Sequence, residues 1–415
     1  MEISLGNSAF VIMCTAFVFL MTPGLAMFYS GMERRKNALN TLMSCFFICG
    51  VGSVLWIAIG YSLSFGTDHG GVIGSLSNVF FKGVGSEPNA SYSSTIPETL
   101  FAAFQMMFAI ITPALICGSL AGRMRFSALF IFIIAWSIIV YYPMAHMVWG
   151  EGGFLRELGS VDFAGGNVVH ISSGVSGLVA CILLGKRREF GIVTYKPHNI
   201  PFVVIGAGLL WFGWFGFNGG SALAADGLAV HAILTTNTSA AMGLLSWMLL
   251  EKVIHGKPTV LGAATGAVVG LVAITPGAGF VPIWASMIIG GLVSPICYFC
   301  ITKLKAKFGY DDALDAFGCH GIGGIWGGIA TGIFTQKSIN VTARWDGLMF
   351  GSTKLFTAQI ISIVITIALA GVATFAILSV IKLFMPIRVS KNEEALGLDL
   401  AEHRELAYPS FTGLD

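Results

Sequence analysis

The chain has 415 residues, 55% of them hydrophobic and only 11% charged, with a mean hydropathy of +0.81 and a formal net charge of +2. Ordinary soluble domains carry about 25% charged residues, so this composition excludes a soluble globular protein. The near-zero net charge gives no electrostatic footprint for a nucleic acid.

The apolar residues come in runs of about 20, enough to cross about 30 Å of hydrocarbon as helices. The 53 glycines suit close helix packing in lipid. Eleven apolar segments follow one another at 8–30, 38–65, 98–121, 126–148, 163–185, 200–221, 229–252, 259–276, 281–302, 313–335 and 347–386. We expect an all-α polytopic membrane protein with eleven transmembrane helices. The first run, Phe10 to Tyr29, has no basic residue before it. It reads as a spanning helix rather than a cleavable leader. Residues 67–97 form a loop rich in Gly, Ser and Asn, with a sequon at Asn89. The polar stretch 388–415 reads as a tail too short to be a domain.

Eight cysteines lie almost entirely in apolar runs, and Cys297-x-x-Cys300 has neither a second pair nor a flanking His. Neither a disulfide framework, a metal site nor a cofactor is expected. Of the 23 basic residues, 18 fall in one set of alternating loops and in the tail. That set includes Arg34–Lys36, Arg123, Arg125, Lys186–Arg188 and Lys303–Lys307. The positive-inside rule puts these in the cytoplasm, with the N-terminus outside and the C-terminus inside.

An acid and a histidine recur together. Asp162 begins the fifth segment from the outside, and Asp315 begins the tenth from the inside. Both suit helix N-termini, where the free N–H groups and the dipole favour a carboxylate. At about 1.5 Å per residue, His170 lies about 12 Å past Asp162, and His320 about 7–8 Å past Asp315. Both histidines therefore fall near mid-membrane, approached from opposite faces. This is the pattern of two inverted five-helix halves with the working site between them. Ordinary caps and packed histidines would give the same residues, but intramembrane ionisable groups default to function. Further candidates meet outside: Phe104 and Phe108 on one helix face, Trp149 ending the fourth segment, and Trp211 to Ser221 ending the sixth. Aromatic faces plus a hydroxyl acceptor suit a small cation. An interfacial aromatic belt is the alternative.

The motifs Asp162-Phe-Ala-Gly-Gly-Asn-Val-Val-His170, Trp211-Phe-Gly-Trp-Phe-Gly-Phe-Asn-Gly-Gly-Ser221, Ala145-His-Met-Val-Trp149, Asp315-Ala-Phe-Gly-Cys-His320 and Gly397-Leu-Asp399 run in order along the whole chain. In these the sequence resembles the ammonium transporter family, Amt/Mep/Rh, and its Amt branch through Trp149 and Ser221. The resemblance implies a homotrimer of eleven-helix protomers in the cell membrane, each with its own pore. It implies ammonium uptake, with methylammonium as analogue, and no enzymatic activity. Phe108, Trp149 and Ser221, supported by Asp162, would recruit ammonium. Phe104, Phe108 and Phe217 would form a phenyl gate, and His170 and His320 a proton relay. Trp214, Tyr29 and Thr275 would line the pore. The domain division implied is 1–387 for transport, with repeats at about 8–185 and 200–335 and a last helix at about 347–386. Residues 388–415 would be a regulatory tail, with Gly397, Asp399, His403 and Tyr408 matching its pattern and a PII-type regulator acting at that face. Arg404 stands where the family pattern has Gly. Rival readings are an ammonium sensor that conducts poorly and an Rh-like ammonia gas channel. An intramembrane enzyme lacks a nucleophile beside a base.

Overall fold

The computed structural model describes residues 2–408, so the end of the expected tail, 409–415, lies outside the described residues. Among the described residues, nine helices are long and apolar enough to cross a membrane. They are α1 (Leu5–Met32), α2 (Arg35–Phe65), α3 (Glu98–Leu120), α4 (Phe126–Glu157), α5 (Gly166–Leu184), α6 (Ile200–Gly219), α7 (Gly227–His255), α9 (Ile283–Phe308) and α11 (Thr353–Phe384). The other two expected segments are also helical. One is the shorter α8 (Val260–Ile274), and the other is α10, which runs Phe317–Gly321 and continues as Ile322–Phe334.

Most of the helix starts have a local cause. Ser4, Asn199, Asp226 and Thr259 each cap a helix by accepting a backbone N–H with the side chain. Gly256 closes α7 in the left-handed conformation. Large apolar side chains such as Phe46, Val54, Leu249 and Phe375 point outward and are more than half exposed. In water this would be a liability; against lipid it costs nothing, because association in a bilayer rests on packing rather than on hiding apolar surface.

The bundle has two distinct ends. At one, the N-terminus pairs with the 66–97 loop through Ser4 N–H to the Thr95 carbonyl. That loop is folded: Asp68–His69 pairs antiparallel with Ile73–Gly74, and Tyr92 stacks flat on Phe101 at 4.9 Å. The Asn89 amide of the sequon is committed to Glu98 at 2.9 Å. The other end carries residues 388–408, here called the tail face.

The tail does not hang free. Asp399 accepts the Asn40 N–H at 2.8 Å and so caps the start of α2. Glu402 accepts the Phe126 N–H at 3.0 Å, and Glu394 accepts that of Arg188 at 2.7 Å. His403 meets the Asn40 amide at 3.0 Å, and Tyr408 bonds to His198 at 3.0 Å. One segment thus ties together the loops before α2, α4 and α6. Gly397 makes this approach feasible: its φ is +106°, and a Cβ there would sit 2.7 Å from the Lys36 backbone oxygen. Arg404 adopts φ 56° and ψ 33°, so an Arg holds the left-handed turn for which Gly is the default. Beneath the tail, Arg187 grips Asp311 in a buried fork at 2.7 and 2.9 Å. Fully buried Arg123 donates to three backbone carbonyls, those of Gly185, Ala121 and Asp311.

Candidate functional site

The sequence places Asp162 just ahead of α5, and the structure shows what it does there. Its carboxylate accepts four successive N–H groups, from Gly165 at 2.8 Å, Gly166 at 2.6 Å, Asn167 at 2.7 Å and Val168 at 3.4 Å. These are the donors a helix start leaves unpaired. Asp162 is only 7% exposed, so water does little of this work. Its main-chain carbonyl has a second task and accepts the Trp149 indole N–H at 2.8 Å. The Trp149 carbonyl is held in turn by Arg156 at 3.0 Å. Nothing in the sequence pattern singles out Arg156.

Trp149, Phe108, Ser221 and Asp162 all line one open vestibule of about 570 Å³ at the end opposite the tail. Phe108 meets Trp149 edge to face at 6.0 Å. The Ser221 hydroxyl donates to the Phe217 carbonyl at 2.8 Å, which leaves its oxygen lone pairs free to accept. Phe101, Tyr92 and Gln105 extend the same wall. Arg344 and Glu157 pair at 2.8 Å on the rim.

Below the vestibule the rings form a column. Phe108 lies against Phe217 at 4.3 Å, and Phe217 over His170 at 6.2 Å. His170 and His320 are near-parallel, their centroids 5.4 Å apart, and Trp214 covers His170 at 5.4 Å. Phe104 packs edge-on against Phe108 at 5.0 Å, fully buried behind it, so the stack proper is Phe108 on Phe217. His170 and His320 are 1% and 3% exposed. Among the described residues, both nitrogens of His170 and Nδ1 of His320 are buried with no hydrogen-bond partner. Buried polar atoms are normally paired, so three unpaired ones in one place call for an explanation.

Close backbone contact brings the two histidine helices together. A Cβ on Gly174 would collide with the backbone of Gly321, and one on Gly324 would meet the His170 Cβ at 3.1 Å. Trp214 is fixed by its indole N–H to Thr275 Oγ1 at 2.9 Å. Tyr29 lies toward the tail side and donates to the Leu115 carbonyl at 3.1 Å.

The expected inner cap needs correction. Asp315 does not cap α10: it sits at φ 58° and pairs with Lys305 at 2.7 Å. Asp312 is the cap, accepting Ala316 N–H at 3.2 Å and Phe317 N–H at 2.8 Å. The signal was present in the spacing, since Asp312 precedes His320 by eight residues, as Asp162 precedes His170.

The model of the Ammonium Transporter Family matches residues 9–408. The chain is 51% identical over 404 residues to the ammonium transporter of Bacillus subtilis, covering 97% of this chain and 98% of that one. It is 44% identical over 404 residues to ammonium transporter Amt1 of Archaeoglobus fulgidus, covering 97% and 99%. Among solved structures, Saccharomyces cerevisiae Mep2 superimposes with a TM-score of 0.87 at 36% identity, covering 94% of this chain and 88% of that one. A structure described as a sensor Amt protein superimposes with a TM-score of 0.88 at 27% identity, covering 96% and 98%. This multi-pass membrane chain belongs to the Ammonium Transporter Family.

Proposed function

We propose that this chain moves ammonium across the cell membrane, with Phe108, Trp149, Ser221 and Asp162 forming the outer recruitment site. The cation rests between the ring faces and donates to Ser221. It then loses a proton, and ammonia passes the Phe108–Phe217 constriction toward His170 and His320. The observation that carries this reading is the ring column. Apolar rings lead from the vestibule to two buried imidazoles, and among the described residues both nitrogens of His170 and Nδ1 of His320 have no partner.

The energetics favour separating the proton from its carrier. A charge on an isolated helix at the bilayer centre costs about 10–17 kcal/mol in simulations, before snorkelling and water defects reduce it. An amine titrating two to three units above neutral loses its proton for about 3–4 kcal/mol at about 1.36 per unit. Potassium has no proton to lose and stays outside. Imidazole accepts on one nitrogen and donates on the other, so the histidine pair suits a proton path parallel to the ammonia. The N–H bond broken at the vestibule is remade on the cytoplasmic side. The work is translocation, not enzymatic chemistry.

On this reading α1–α5 and α6–α10 are inverted halves, residues 1–387 form the transport unit, and 388–415 a regulatory tail. The N-terminus lies outside and the tail inside. Homotrimer formation and a PII-type regulator at the tail face belong to the same proposal. Gly397, Asp399, His403 and Tyr408 would pass the state of the tail to the loops they hold.

A second reading has one observation in its favour, the fit to the sensor Amt structure: a protein that binds ammonium and conducts poorly. Reconstituted chain separates the two. Transport predicts ammonium-induced current that His170→Ala or His320→Ala changes in rate or selectivity. If both variants carried ammonium like the parent and still excluded potassium, the relay would be wrong.

A further inference from the structure

His146 lies on the last apolar turns of α4, one turn before Trp149, and is fully buried. Its Nδ1 meets the Ser64 carbonyl at 3.0 Å and its Nε2 meets Asp68 Oδ1 at 2.8 Å. The ring thus ties the Ser64 backbone and the Asp68 side chain to this turn of α4. Asp68 belongs to the short hairpin that caps the vestibule end, and also accepts Gly71 N–H at 2.8 Å. The hairpin is clipped to the chain after Trp149 by Phe154 N–H to the Gly71 carbonyl at 2.8 Å. A Cβ on Gly152 would come within 2.8 Å of the Asp68 Cβ.

We propose that Asp68 is a positioning residue for the recruitment indole, acting through the His146 ring. It sets where the helical stretch Tyr142–Trp149 of α4 ends, and so where the Trp149 ring stands over the vestibule. The inference rests on the recruitment reading given above. The pair is the polar anchor on one side of Trp149, and Arg156 and the Asp162 carbonyl are the anchors on the other. The elements packed on this helix end carry Tyr61, Tyr141, Arg156, Glu157 and His170. Among the described residues, Asp68 alone of the charged side chains bonds to the ring. The bond to His146 holds the Asp68 carboxyl below the usual carboxylate range, so the pair stays intact in mildly acid surroundings.

Two variants separate position from charge. Asp68→Ala removes the anchor. Asp68→Asn replaces it, because its amide N–H donates to Nε2 while a neutral ring still donates from Nδ1 to Ser64. The test uses the full chain in proteoliposomes, with ammonium current measured against ammonium concentration. Asp68→Ala should raise the half-saturating concentration at least about threefold, since displacing a binding group by an ångström is costly. Maximal current should be largely kept, and Asp68→Asn should recover most of the loss. An Asp68→Asn variant no better than Asp68→Ala would overturn the inference. So would a parent-like Asp68→Ala when Trp149→Leu weakens half-saturation. If Trp149→Leu itself is parent-like, the recruitment reading falls, and the inference with it.

Discussion

Removing the Asp162 carboxylate should unsettle the protein far more than loss of an ordinary helix cap. A surface N-cap is worth about 1 kcal/mol. Here three short bonds, at 2.6, 2.7 and 2.8 Å, serve buried donors, and a longer fourth lies at 3.4 Å. Each orphaned buried donor costs about 1–3 kcal/mol. Three of them bound the loss at about 3–9 kcal/mol. The vestibule beside Asp162 lets some water in, which puts Asp162→Ala near the lower part, about 3–5 kcal/mol. Asp162→Asn keeps one acceptor oxygen but turns an amide donor toward the remaining N–H groups, so it should lose about half as much. Because the Asp162 backbone holds the Trp149 indole, half-saturation for ammonium should weaken in the same order. The assay is thermal unfolding of the purified chain in detergent, paired with ammonium current after reconstitution. Parent-like stability and half-saturation in Asp162→Ala would refute the reasoning. So would an Asn variant as damaged as Ala, because the account ranks them by acceptor count.

Other consequences lie on the tail face. Gly397→Ala should lift the tail, because the new Cβ would press on Lys36; hydrogen exchange across 390–405 should quicken while the helices stay protected. Asp311→Asn should destabilise by about 3–5 kcal/mol, seen as a lower unfolding temperature, because it strips a buried Arg187 of its partner. The Ser390 N–H, its hydroxyl and Arg125 hold the Glu393 carboxyl below the usual carboxylate range. Its contribution to tail docking is therefore fully present above the ordinary carboxylate pKa of about 4.3 and lost only as pH falls through the lowered value. Hydrogen exchange of the tail, corrected for intrinsic rates, should stay flat from about pH 7 to 5 and rise only in stronger acid.

Much of this architecture was legible because lipid simplifies the code. Runs of about 20 apolar residues have few alternatives to spanning helices. The two remaining apolar segments, α8 and α10, are helical as well, though neither is among the nine helices of the described residues that are long and apolar enough to cross a membrane. Asp162 and His170 stood out because charge is rare at that depth. Asp312 was passed over for Asp315, since a cap is chosen by loop conformation: Asp315 turns left-handed at φ 58° and faces Lys305. The Asp68–His146 pair joins residues 78 positions apart, through a hairpin whose fold no periodicity announces. Arg156 carries no signal in the sequence, because its partner is the backbone carbonyl of Trp149. Local pattern reveals groups that share one helix and misses those that meet only when loops close over the bundle.

The central claim is that the column below the vestibule passes ammonia and its proton while refusing bare cations. Currents from the reconstituted full chain on a solid-supported membrane test it directly, with ammonium, methylammonium and potassium supplied in turn. The account predicts current with ammonium and methylammonium, and none with potassium. Silence with ammonium, or equal current with potassium, would contradict it.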